Sequence, residues 1–176
     1  MRALVISSAI LLAACGQQPT ELPEPPPAQQ ILPAAEEANP APAQALTTGQ
    51  MGAMSTTAMS ITGAATFKAD AIEFENGFAA QTEFLEIVSA TNPIKADGES
   101  FAAAAPGPTD LRIEIRRIAG EAPPQLCGGP NPATYIAIAS DEPLTALTLM
   151  VFSGTDAPGP SAQDSTICAI FSYAVD

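Results

Sequence analysis

The stretch Leu111-Arg112-Ile113-Glu114-Ile115-Arg116-Arg117-Ile118 alternates aliphatic and charged side chains with the period of two that belongs to a β-strand. Read as a half-buried strand, it turns Leu111, Ile113 and Ile115 to a core and Arg112, Glu114 and Arg116 to solvent. Arg117 then falls on the inward phase and Ile118 on the outward one, a slip that a bulge at Arg116-Arg117 would repair. Arg112 and Arg116 on one outward face are candidate partner-binding residues, able to grip a carboxylate or phosphate. They are equally able to pair with acidic neighbours across the sheet.

The same period recurs on both sides. Ala71-Ile72-Glu73-Phe74-Glu75 alternates and runs into Asn76-Gly77, a hairpin signal. A two-residue loop there would set Phe78 beside Glu75 and away from Phe74, so a longer loop with a bulge would restore the faces. Residues 82–90 fit either a buried strand or one helical face, and Asn92-Pro93 ends them. Residues 101–105 read as a short strand broken by Pro106-Gly107-Pro108. Beyond a long loop, 120–132, come three further strands: 134–139, 144–152 (apolar on both faces, as in a central strand) and 167–175. Seven or eight short strands with Gly/Pro turns and no convincing helix predict an all-β antiparallel sandwich or small barrel over residues 63–176.

Ahead of that domain the composition changes. Eight of the 18 prolines fall between residues 16 and 45, where Pro, Ala, Gln and Glu dominate. Proline fixes φ and removes an amide donor, so this stretch is expected to act as a semi-extended spacer. Residues 46–63 turn to Thr, Ser, Gly, Ala and Met and read as its continuation, giving a tether over 15–62. Met51, Met54 and Met59 are soft ligands suited to Cu(I), but with no histidine nearby a hinge is the simpler reading.

Charge and residue types narrow the chemistry. Nineteen acidic residues face six basic ones, a net charge of −13, which provides no electrostatic footprint for nucleic acid and favours cationic partners. The chain has no histidine, so Ser-His-Asp and Cys-His nucleophilic systems and the common zinc sites lack a member. Glu73 with Glu75, and Asp110 with Glu114, are the carboxylate pairs that hydrolysis would need, though on exposed ridges they act as solvated faces. Asp156 and Asp164, with Ser153, Thr155 and Ser161, form an oxygen-rich loop whose spacing matches no EF-hand. No catalytic residue, cofactor or metal is assigned, and a non-enzymatic role is expected.

The N-terminus supplies an address. Arg2 precedes an uncharged run from Ala3 to Ala14, the pattern of a secretory signal and too short for a membrane span. Leu12-Ala13-Ala14-Cys15 resembles the lipobox of bacterial lipoproteins. That resemblance implies cleavage after residue 14 and lipidation of Cys15, whose acyl chains would hold the protein to a membrane. Gly16 in place of Asp favours the outer membrane. From Leu111 onward, the Cys127 loop and Cys168 strand are similar to small bacterial lipoproteins without known activity. An exported chain with Cys15 acylated leaves Cys127 and Cys168 as a disulfide pair in an oxidising compartment. The function expected is therefore that of an envelope-anchored β domain that binds a partner or supports envelope structure. An inhibitor of cationic enzymes such as lysozyme is the first alternative, and a carboxylate-based envelope hydrolase the second.

Overall fold

The computed structural model describes residues 47–105 and 110–175. They form a closed, eight-stranded antiparallel barrel in which every strand pairs with its neighbours in sequence and the last pairs with the first. The strands are β1 (Gly49–Ala53), β2 (Ala65–Phe67), β3 (Ala71–Phe74), β4 (Ala79–Ser89), β5 (Arg112–Ile118), β6 (Tyr135–Ser140), β7 (Ala146–Ser153) and β8 (Thr166–Ala174). Two short helices interrupt them, α1 (Thr56–Ile61) and α2 (Phe101–Ala104), and a 3₁₀ turn spans Pro124–Leu126. None of the helices among the described residues is long and apolar enough to cross a membrane.

Two apolar cores share the barrel wall. The interior holds Phe67, Ile72, Phe74, Ile118, Ile136, Ile138, Leu149, Val151, Phe171 and Tyr173, with Ala58 of α1 and Leu126 of the 3₁₀ turn inserted among them. Side chains of this bulk suffice to fill the interior of an eight-stranded barrel. The second core lies outside the wall: Ile113, Ile115, Ala137, Ala139, Met150 and Phe152 are covered by Ala90, Ile94, Phe101 and Ala105. Phe101 stands edge-on to Phe152, ring centroids 6.4 Å apart.

This double coverage inverts the reading of β5. Ile113 and Ile115 do face a core, but it is the outer one. Glu114, Arg116 and Ile118 point into the barrel, and Arg117 points out. The β5–β6 register is continuous from Arg112↔Ser140 to Arg117↔Tyr135, so no bulge lies at Arg116-Arg117. The slip is on β4, between Phe84 and Glu86. A strand buried on both faces carries no alternation that says which face is the barrel interior.

Arg116 is fully buried, and Glu114 is 3% exposed. Arg116 Nε donates to Glu114 Oε1 at 2.6 Å, Nη1 to the Lys68 carbonyl at 2.6 Å, and Nη2 to the Thr47 carbonyl at 2.9 Å. The Thr47 N–H in turn donates to Glu114 Oε2 at 2.9 Å. Thr47, at the entry to β1, is thus gripped on both its amide and its carbonyl by one buried ion pair.

Two local expectations are corrected. Residues 49–61 are part of the barrel instead of tether: Met51 is buried against the interior core, Ser55 caps α1 by accepting from Ala58 N–H at 3.1 Å, and β1 closes the wall between β2 and β8. A Gly- and Ala-containing strand has weak intrinsic preference, which closure of the barrel overrides. Residues 101–104 are helical because Ser100 caps them and alanine favours helix. At Asn76-Gly77 the longer loop expected from the faces is present: it has three residues, 75–77, with Gly77 at φ +86°, and Phe78 returns opposite Phe74 with rings 4.9 Å apart. The stretch 79–89 is strand throughout.

Replacing Arg116 by Met removes the cation paired with the buried Glu114 carboxylate, so Arg116→Met is expected to cost about 3–5 kcal/mol in urea unfolding. Arg116→Met combined with Glu114→Leu should recover most of that loss; equal or greater loss in the double variant would contradict this account.

Candidate functional site

A concavity of about 710 Å³ opens beside the loop between β5 and β6. Gly120, Glu121, Ala122 and Pro124 form one wall, Gly129 to Ala133 a second, and Thr134, Tyr135, Gly154 and Thr155 a third. A smaller extension, about 400 Å³, continues past Gly154 and Thr155 toward Asp164 and Thr166. Clefts of this size are the default place for ligand binding.

The sequence builds these walls through restriction of the backbone. Pro123 and Pro124 start the 3₁₀ turn, which sinks Leu126 into the interior core. Gly128, at φ +58°, then reverses the chain. The turn is stapled to β8 by the disulfide Cys127–Cys168, with Cα atoms 5.0 Å apart. Cys168 reaches it because Val151↔Ala169 is followed by Phe152↔Ile167, which leaves Cys168 as the extra residue of a bulge. The back of the cleft is fixed by Thr134, whose N–H donates to the Phe152 carbonyl and whose hydroxyl donates to the Gly154 carbonyl, each at 2.8 Å. The Tyr135 hydroxyl donates to the Thr155 carbonyl at 3.2 Å.

The rim is charged but partly committed. Arg117 is paired with Glu83, whose hydrogen bond and charge hold the guanidinium above its ordinary pKa. Glu121 and Asn131 are exposed on opposite walls. Across the extension, Asp156 is held below the usual carboxylate range by the N–H groups of Asp164 and Gln163. The lining offers rigid shape, hydrogen-bonding groups and a tyrosine ring.

The structure treats the residues singled out by sequence unevenly. Cys15 lies outside the described residues. Arg112 and Arg116 do share a strand face, but it is the interior one; Arg116 is sealed in, and only Arg112 reaches solvent, at the barrel rim beside Glu142. Arg116 therefore cannot present itself to a partner from this position. Glu73 is paired with Lys68 at 2.5 Å, while Glu75 accepts from Ala64 N–H at 2.9 Å, so each carboxylate holds a turn. Asp110 is exposed and Glu114 buried, which separates that pair. Met51 is interior whereas Met54 and Met59 are exposed. In the oxygen-rich loop, Asp164 accepts from the Thr155 N–H and hydroxyl, and Asp156 from two further N–H groups. No group of three or more His, Cys, Asp and Glu that could hold a metal occurs among the described residues. The cleft itself was overlooked in sequence, although Pro and Gly crowding around Cys127 between residues 123 and 132 was its signal.

Two glycines give opposite expectations. At Gly154, with φ +121°, an added Cβ would run into the backbone of Asp164; at Gly129 it would meet only the Cys127 carbonyl oxygen at 3.7 Å. Gly154→Ala should lower stability by about 1–3 kcal/mol and Gly129→Ala by almost nothing, measured by thermal unfolding. Paired Cys127→Ala and Cys168→Ala substitutions, releasing a staple across a separation of 41 residues, should cost about 4 kcal/mol in urea. No family model matches the chain, and no curated protein or solved structure matches it.

Proposed function

We propose that this is a lipid-anchored cell-envelope protein whose barrel binds a partner in the disulfide-stapled cleft and performs no catalysis. The observation that carries the binding role is the cleft, held open by prolines, a staple and backbone hydrogen bonds. Walls fixed in this way lose little conformational freedom when a ligand enters. The reading without catalysis draws on the absence of histidine from the chain and on the engagement of Arg117 by Glu83 at the rim. The anchor rests on Leu12-Ala13-Ala14-Cys15 and on a hydrophobic run too short to span a bilayer. Apart from the buried Glu114–Arg116 pair the interior of the barrel is mainly apolar, while Glu73, Gln81, Glu83, Glu86 and Arg117 stand on its outside. That is the reverse of the lipid-facing apolar band of a transmembrane barrel, so attachment falls to the acyl chains.

Two variants separate the two halves of the proposal. Cys15→Ala should lose fatty-acid labelling and move from the membrane to the soluble fraction while keeping its crosslinked envelope partner. Gly129→Trp, which fills the cleft from a position that tolerates a side chain, should remain on the membrane and lose that partner. Membrane retention of unlabelled Cys15→Ala would refute the anchor, and an unchanged crosslinking pattern in Gly129→Trp would refute the cleft.

A further inference from the structure

A second concavity, about 410 Å³, is lined by Ile94, Lys95, Glu99, Ser165, Thr166 and Ile167 and shares only Thr166 with the extension of the cleft. Two observations set it apart. Ser165 is 2% exposed, and its Oγ is the buried side-chain polar atom that lacks a hydrogen-bond partner among the described residues. A buried hydroxyl left without a partner costs stability, so its persistence asks for a reason. Lys95 is likewise exceptional. Arg112, Arg116, Arg117 and Lys68 are engaged by Glu142, Glu114, Glu83 and Glu73, and Lys95 is the one cation among the described residues outside an ion pair.

The backbone fixes these groups around the space. The Ile94 N–H donates to the Glu99 carbonyl at 2.8 Å and the Gly98 N–H to the Lys95 carbonyl at 2.9 Å, closing a tight loop that carries Lys95 and Glu99 on the same wall. That loop is tied to the β7–β8 connection by Ala96 N–H to the Ala162 carbonyl, 2.9 Å, and by Gly159 N–H to the Ile94 carbonyl, 2.7 Å. Ser165 ends this connection, immediately before β8. Ile94 and Ile167 supply apolar surface.

We infer that this pocket binds a small zwitterion, a free amino acid or short peptide carrying both an ammonium and a carboxylate. The carboxylate is met by the Lys95 ammonium and the Ser165 hydroxyl, the ammonium by the Glu99 carboxylate, and an aliphatic side chain by Ile94 and Ile167. A simple anion is opposed by Glu99 and a simple amine by Lys95, so both charges are needed for full affinity. The site has no lining residue in common with the main cleft and stands or falls without it.

Amide chemical shifts of the full chain, kept in detergent, test this against leucine and alanyl-alanine. The single-charge analogues 4-methylpentanoate and 3-methylbutylamine, and inorganic phosphate, serve as comparisons. Leucine and alanyl-alanine should shift Ile94, Lys95, Ser165 and Thr166 saturably and bind about tenfold more tightly than any single-charge probe. Ser165→Ala should weaken both zwitterions about tenfold without lowering the melting temperature, since it removes a hydroxyl that no protein group uses. Lys95→Met should abolish the preference for leucine over 3-methylbutylamine. Phosphate or 4-methylpentanoate binding as tightly as leucine, a lack of saturable shifts, or unchanged affinity in Ser165→Ala would each overturn the inference. A lowered melting temperature in Ser165→Ala would assign the hydroxyl to the fold and overturn it as well.

Discussion

An ion pair inside an apolar barrel persists only if each of its polar atoms finds an answer, because removing two charges from water costs several kcal/mol per ion. Arg116 meets that condition with three nitrogens directed at Glu114, Lys68 and Thr47. Apolar residues of the same volume would fill the space at no greater cost, so stability alone does not explain the pair. Its particular effect is positional: an apolar plug has no means of holding a backbone amide and carbonyl, whereas Glu114 and Arg116 hold both groups of Thr47. The register of β1, and with it the closure of the barrel, follows from where Thr47 is held.

From that fixed entry the remaining architecture divides its labour. The strands from β5 to β7 are largely buried on both faces and form a stiff wall, with the 90–105 segment on the outside and the aromatic core within. Both concavities that carry functional arguments sit at the edges of this wall, formed by connections that hydrogen bonds, prolines or the disulfide hold in place. Loops on a rigid scaffold are where recognition usually resides. The cleft and the Ser165 pocket take walls from opposite ends of the β7–β8 connection, the former at Gly154 and Thr155, the latter at Ser165 and Thr166, where the extension of the cleft also arrives.

The all-β class, most strands and the loop at Asn76-Gly77 were legible because alternation and turn chemistry are local. What escaped was information carried by contacts. The phase of β5 depended on a second core built by residues 90–105, and nothing in Leu111–Ile118 itself distinguishes an inner from an outer apolar layer. Strand β1 escaped because Gly49-Gln50-Met51-Gly52-Ala53 has little strand preference and forms only where two neighbours await it. The pocket around Ser165 joins residues about seventy positions apart, and neither half resembles a binding motif alone. By contrast, Cys127 and Cys168 could be paired once export was inferred, since few alternatives remain when three cysteines become two.

The seam of the barrel joins Gly52 to Ala174 and Ala53 to Tyr173. Contacts that span nearly the whole folded chain are entropically slow to form, because the intervening residues must be ordered before the seam repays the closure. A chain delivered N-terminus first therefore holds β1 in waiting until β8 has emerged. Its other early strands are short, and β4 alone offers a long edge, interrupted by the irregularity at Leu85 and flanked by Glu83 and Glu86. Such charges and bends discourage pairing with another chain. The acidic character of the outer surface thus has a kinetic consequence: it shields an open sheet during the interval in which the barrel has seven strands and not yet eight.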